Sequence, residues 1–337
     1  MQKRSLFTSV VPLFLLPILL LTSCADDGGG GEVIIPDFGF NTTVVFEQNL
    51  SAYNIFEGNT QDLIPTADFH LMELSSPLFT DYAHKQRLVR VPEGTQLTNN
   101  GNGTINFPDG TILAKTFYYY NDERDLSLGK RVIETRLMIK ESGLWNVATY
   151  IWNTDQTDAT LELNGQDTQV SWVNEAGVNR STLYHIPTEN ECNACHQSNN
   201  AIIPLGTTLR NLNRSVTRNN TTLNQLTHLQ SVGVLNTFDI ASINDIVNYF
   251  DSTESLTERG RAYLQMNCAH CHNPTAWNEP AEQGFDFRYE TPLNQTGIIQ
   301  DPDEIEQVIS NGEMPFIGTT MLDDDGVALL LDFLNNL

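Results

Sequence analysis

The sequence predicts an α+β multidomain chain, with a β-rich N-terminal domain followed by two α-helical units, all behind a leader and a flexible tether. Three observations predict it. Between residues 41 and 183, short β-branched and aromatic runs are punctuated by Gly, Asn and Pro, which is the texture of strands and turns. Past residue 183 the apolar spacing becomes helical, as at Ile243, Ile246, Val247 and Phe250. In that second half, four Cys fall into two identical frames, one in each helical unit. The resulting bounds are 1–23 for the leader, 24–40 for the tether, 41–183 for the β-rich domain, and 184–250 and 251–337 for the two helical units.

The 337 residues carry 18 Lys and Arg against 42 Asp and Glu, a formal charge of −24, which excludes nucleic acid as a partner because phosphate backbones need the opposite sign. Hydrophobic residues make up 40% and charged residues 18%, enough to bury a core and too few apolar residues for a polytopic membrane protein.

In the leader, Lys3 and Arg4 precede the apolar stretch Val10 to Leu21. With Pro12 and Pro17 inside it, that stretch is too short to cross a hydrocarbon core of roughly 30 Å as a helix. It ends in Leu21-Thr22-Ser23-Cys24, which resembles the bacterial lipobox, where the signal is cut before an acylated Cys. At ~0.8 kcal/mol per buried methylene, two or three acyl chains on Cys24 anchor a protein to a membrane surface. Asp26, Asp27 and the run Gly28 to Gly31 form a solvated leash, and an acidic pair so placed resembles the surface-export signal of Bacteroidota lipoproteins. The expectation is an exported lipoprotein of the outer membrane, on its periplasmic or cell-surface face, tethered through a lipid anchor.

Strands are expected at Leu88 to Val91, Ile112 to Tyr120, Val132 to Ile139 and Val147 to Trp152, with a turn at Phe107-Pro108-Asp109-Gly110-Thr111. In the Thr116 to Tyr120 run both alternating sets are bulky, so the pattern does not tell which side is wet. The region has no Gly-rich phosphate loop, no catalytic Ser frame and no HExxH, and no catalytic residue is assigned.

The two frames are Cys192-Asn193-Ala194-Cys195-His196 and Cys268-Ala269-His270-Cys271-His272. Two intervening residues let both sulfurs reach the vinyl groups of one haem, and the next residue places an imidazole under the iron. Two such frames imply two covalently bound haem c groups, with thioethers at Cys192, Cys195, Cys268 and Cys271, and His196 and His272 as proximal iron ligands. The units are then cytochrome c-like. A four-thiolate zinc site or disulfides would use the same Cys, but neither explains a His directly after each pair.

For the second haem, Thr257 to Gln265 reads as a helix, with Gly260, Tyr263 and Leu264 for close packing. Asp323 reads as the N-cap of a closing helix with one apolar face at Val327, Leu330, Leu331 and Leu334. Between them, Gly312-Glu313-Met314-Pro315 resembles the Met-Pro loop of small c-type cytochromes, which makes Met314 the axial thioether, with Met321 as the substitute. The first haem has no local Met, since none occurs between Met138 and Met266. His228, on the amphipathic stretch Leu223 to Val232, is one candidate for its distal ligand. Met266, Met138, Met72 or an open position are the others. His185 is expected outside the pocket, His270 at the surface, and His70 and His84 have no metal-ligand spacing.

Several stretches together resemble a group of exported dihaem c-type cytochromes without an assigned substrate. They are Ser75 to Ala83 (SSPLFTDYA), Glu134 to Leu137 (ETRL), Trp152 to Ala159 (WNTDQTDA), Leu212-Asn213-Arg214, Arg261 to Leu264 (RAYL) and Met314-Pro315. Met266 departs from the small or aliphatic residue expected there. Similar modules accompany exported quinoprotein-type sugar dehydrogenases or parallel β-helix proteins, so the resemblance implies an electron carrier with redox protein partners. A basic partner would be steered in by the acidic surface. The alternative is a dihaem peroxidase-like enzyme with an open first-haem site. A third reading makes the β-rich half a docking module.

Overall fold

The computed structural model describes residues 35, 43–276, 284–315 and 317–337. The leader, Cys24 and all of the tether except Ile35 lie outside the described residues. A six-stranded antiparallel meander dominates the β-rich part: β1 (His70–Leu71), β2 (His84–Arg90), β3 (Ile112–Tyr120), β4 (Lys130–Glu141), β5 (Leu144–Trp152) and β6 (Ala159–Glu162), each paired with its chain neighbour. Every strand expected from the sequence lies wholly or mostly within one of these, and Phe107 to Thr111 is a turn.

The register sorts the two faces. Leu88, Ala114, Leu137 and Ala148 sit opposite one another across β2 to β5 and are buried in one core cluster, beneath Leu50, Ile55, Leu63 and Phe69 from the N-terminal segment. Side chains alternate along a strand, so the neighbouring row Arg87, Lys115, Arg136 and Thr149 points to the opposite face. At one end of that face, Phe117, Tyr119 and Ile133 pack under the hairpin of β7 (Gln166–Val173) and β8 (Asn179–Ile186). At the other, Met72 and Val89 pack against α2 (Leu209–Leu212) and α3 (Gln225–Ser231). In the ambiguous Tyr run, Thr116, Phe117 and Tyr119 are all buried. A register shift between Phe117 and Tyr118 re-aims the end of the strand there.

Residues 184–250 also contain α1 (Glu189–His196) and two short hairpins, Gln197–Ser198 with Ala201–Ile202 and Ser215–Arg218 with Thr221–Asn224. The helical spacing of Ile243 to Phe250 is not realised as a helix. Asn213 takes the Ile243 carbonyl, Ile246 N–H donates to Arg210 O, and Ser76 donates to Val247 O, so the segment's polar backbone is satisfied by distant partners. Ile243, Ile246 and Tyr249 are buried, while Phe250 is exposed.

The C-terminal part is helical: α4 (Leu256–Asn267), α5 (Pro302–Ser310) and α6 (Asp324–Asn335). Ser255 caps α4 through Glu258 N–H, and Asp323 caps α6 through Gly326 N–H, as its sequence implied. Helices α4 and α6 cross at two glycine notches, where Phe333 lies against Gly260 and Tyr263 against Gly326. A Cβ on Gly260 would stand 2.5 Å from Phe333 Cγ. Ala gains about 1 kcal/mol over Gly in a helix interior, but overpacking costs about 1–3 kcal/mol. Gly260→Ala and Gly326→Ala are therefore expected to lower the chemical denaturation midpoint, and a midpoint that stays or rises would show that the crossing has slack.

Candidate functional site

Each Cys-x-x-Cys-His frame is delivered by a helix with a defined start or finish. A capping box starts α1: Glu191 N–H donates to Thr188 Oγ1 (3.2 Å) and Thr188 N–H to Glu191 Oε2 (2.7 Å). The i, i+3 spacing then puts Cys192 and Cys195 on one side of the helix. The second frame begins where α4 ends. Cys268 is its C-cap, and Cys271 and His272 both donate N–H to Cys268 O (3.0 and 2.8 Å), turning the chain back on itself.

All four thiols and both motif histidines line one cavity, together with Met314 and Met321. With the part open to solvent counted, its empty space is about 1730 Å3. Apolar and aromatic groups such as Leu78, Phe79, Leu264, Phe285 and Phe287 complete the wall. Behind the frames, Ser198 and Thr275 share a hydroxyl hydrogen bond of 2.8 Å and Asn199 N–H donates to Thr275 O at 3.1 Å, pinning the segments after the two motifs together.

The chemistry of these groups suits thioether and iron bonds. The Cys are unpaired. Burial pushes the Cys268 and Cys271 thiols up to about 12. Among the described residues no three His, Cys, Asp or Glu side chains converge on an ion-sized site. His196 Nδ1–H donates to Ile203 O (2.7 Å), a carbonyl that can only accept, so Nε2 keeps its lone pair. Burial lowers its pKa to about 3, and the ring is the neutral imidazole that iron requires. His272 is lowered by burial too and packs beside Phe287, and among the described residues its buried Nδ1 has no partner.

The loop Ser75 to Ala83 holds the cavity's halves together. The Asp81 carboxylate, 1% exposed, accepts from Thr320 N–H (2.7 Å), Thr320 Oγ1–H (2.8 Å) and Met321 N–H (3.0 Å). Phe79 N–H donates to Asn267 Oδ1 (2.7 Å), next to the second frame, and Tyr119 O–H from the sheet donates to Asp81 O (2.7 Å). Asp81 and Tyr82 both hold left-handed φ, +45° and +61°, a conformation these contacts must sustain. In sequence this stretch carries only the family resemblance; its carboxylate joins segments 240 residues apart, which no local pattern shows.

Other expectations fall differently. His228 is not brought to the cavity: it sits on α3, where burial and then the Arg218 charge lower its pKa. His185 lines the cavity rather than lying outside it, held by Asp167 (2.7 Å) and Glu191 (3.1 Å). His270 is also a wall residue and not a surface one, its buried Nδ1 having no partner among the described residues. Met266 is buried, its sulfur accepting from Asn211 Nδ2 (3.2 Å). Met72 and Met138 line a smaller adjoining cavity with Cys192 and His196.

Residues 255–334 match the family model described as Cytochrome C oxidase, cbb3-type, subunit III. This stretch is a cytochrome c domain. No curated protein and no solved structure matches the chain. The domain implies a covalent haem c and electron transfer, and its residues fit the group: Cys268 and Cys271 would hold the thioethers, and His272 and Met314 the iron. When bound, the haem supplies a one-electron ferric–ferrous couple. Around it, α4 and α6 exclude water, and the Val308 carbonyl, accepting from Glu313 and Met314 N–H, fixes one end of the Met314 loop as Asp81 fixes the other.

Asp81→Ala strands three donors, and a lost hydrogen bond to a charged partner costs roughly 1.5–3 kcal/mol. The variant is expected to lose several kcal/mol in denaturant unfolding, with Asp81→Asn losing less. Wild-type stability in Asp81→Ala would show that the loop does not depend on this carboxylate.

Proposed function

We propose that the protein is a membrane-tethered dihaem c-type cytochrome carrying electrons, each Cys-x-x-Cys-His frame holding one haem c. The observation that carries this reading is the convergence of both frames on one cavity with largely apolar walls. In this reading, Cys192 and Cys195 tether the first macrocycle and His196 is its proximal ligand, oriented through Ile203 O. Met72 and Met138 stand on the wall beside Cys192 and His196, available to the distal side where the sequence offered no local thioether. Cys24 carries the anchor at the outer membrane, on the periplasmic or cell-surface face. The electron donor is an exported dehydrogenase of the quinoprotein class, whose basic surface the −24 chain attracts.

The second reading, a dihaem peroxidase-like enzyme, is favoured by one observation: His228 does not line the cavity, leaving no His from α3 to close the first site. A redox titration separates the two. Two one-electron waves with six-coordinate, low-spin spectra are expected, and peroxide turnover with a reduced cytochrome donor would replace the carrier by the enzyme.

Thioether ligation raises the potential relative to weaker or absent axial sulfur. Met314→Ala is expected to lower one wave and make that iron high-spin, while the other wave stays. Two unmoved waves would remove Met314 from the ligand set.

A further inference from the structure

The sheet face turned toward the first frame carries an arrangement of charge that the fold does not explain. Arg87, Lys115 and Arg136 lie directly opposite one another on three adjacent strands, and like charges so placed repel. The chain has only 18 Lys and Arg, so three abreast on an inner face is a concentrated use of them. Arg136 is satisfied: its guanidinium donates to both oxygens of the buried Glu134 (2.8 and 2.5 Å), which also accepts from Tyr184 O–H (2.7 Å). Among the described residues the side chains of Arg87 and Lys115 make no hydrogen bond or ion pair, and Glu162 and Glu189, which line the same small cavity, form no ion pair with the row. Burial, and then Arg87 and Arg136, hold the Lys115 pKa well below its ordinary value. An uncompensated cation in such a place costs free energy until an anion meets it.

Arg87, Lys115 and Arg136 line the cavity that contains Cys192 and His196, and Lys115 and Arg136 continue into the larger one. We propose that this row is the seat of the two propionate carboxylates of the haem tethered at Cys192 and Cys195, with Arg87 and Lys115 as the two cations awaiting them. The assignment rests on the reading that the first frame holds a haem. That haem carries two carboxylates on the edge of the macrocycle across from its thioethers, a number that matches the two cations of this cavity wall that have no anion; Lys115 has only the Phe117 ring beside it, at 4.8 Å. Arg suits a carboxylate through its planar fork, and Lys as a point charge. The sheet then serves as the wall of the first haem site, in place of the helices α4 to α6 that enclose the second.

The test uses the full chain loaded with haem. The wave belonging to the first frame is identified as the one lost in Cys192→Ala/Cys195→Ala. Lys115→Met, Arg87→Gln and their combination are expected to keep two haems per chain and to move that wave to lower potential, most in the double variant, because a nearby cation favours ferrous iron. The other wave is expected to stay, and Lys115→Arg to restore the first. Two haems with an unmoved first wave would overturn the seat while leaving the dihaem reading intact. One haem per wild-type chain would remove both. A wild-type wave that shifts with added inorganic phosphate would overturn it as well, since the row would then be open to free anions. If Lys115→Met fails to fold, Lys115→Arg decides: haem and wave retained there support the seat, and loss in both overturns it.

Discussion

Both Cys-x-x-Cys-His frames must reach the same cavity, and the rest of the structure is arranged around that constraint. The frames are far apart in sequence and arrive from different directions, one inside α1 and the other at the end of α4. Ser198 and Thr275 join them from behind. Asp81 joins the Met314–Met321 loop to the sheet from in front. These polar ties hold the two frames on one cavity, whose wall is largely apolar and carries Lys115 and Arg136 on the sheet side.

The two halves of the site are built from different materials. Behind the second frame, α4, α5 and α6 close a helical cytochrome c domain through glycine notches. Behind the first, the chain between residues 184 and 250 offers only short helices and hairpins, and the face of the meander supplies the wall instead. A β-rich region that looks chemically silent in sequence thereby becomes half of the candidate site.

What could be read from the sequence was what is local. The strand runs, the helix leading into the second frame and the Asp323 cap each depend on a few adjacent residues, and each is found where expected. The failures come from long-range partners. Ile243 to Phe250 keeps a helical spacing, yet its backbone is claimed by Ser76, Arg210 and Asn213. His270 turns inward because another motif, far upstream, is its neighbour. The row of Arg87, Lys115 and Arg136 exists only once three strands are in register, so no one-dimensional pattern announces it.

The most direct measurement is the mass of tryptic peptides from the full chain expressed with a c-type maturation system. Peptides containing Cys192–Cys195 and Cys268–Cys271 are both expected to carry one macrocycle each. A Cys192–Cys195 peptide at its bare mass, beside a loaded Cys268–Cys271 peptide, would reduce the protein to a single-haem cytochrome and contradict the shared cavity as a dihaem site.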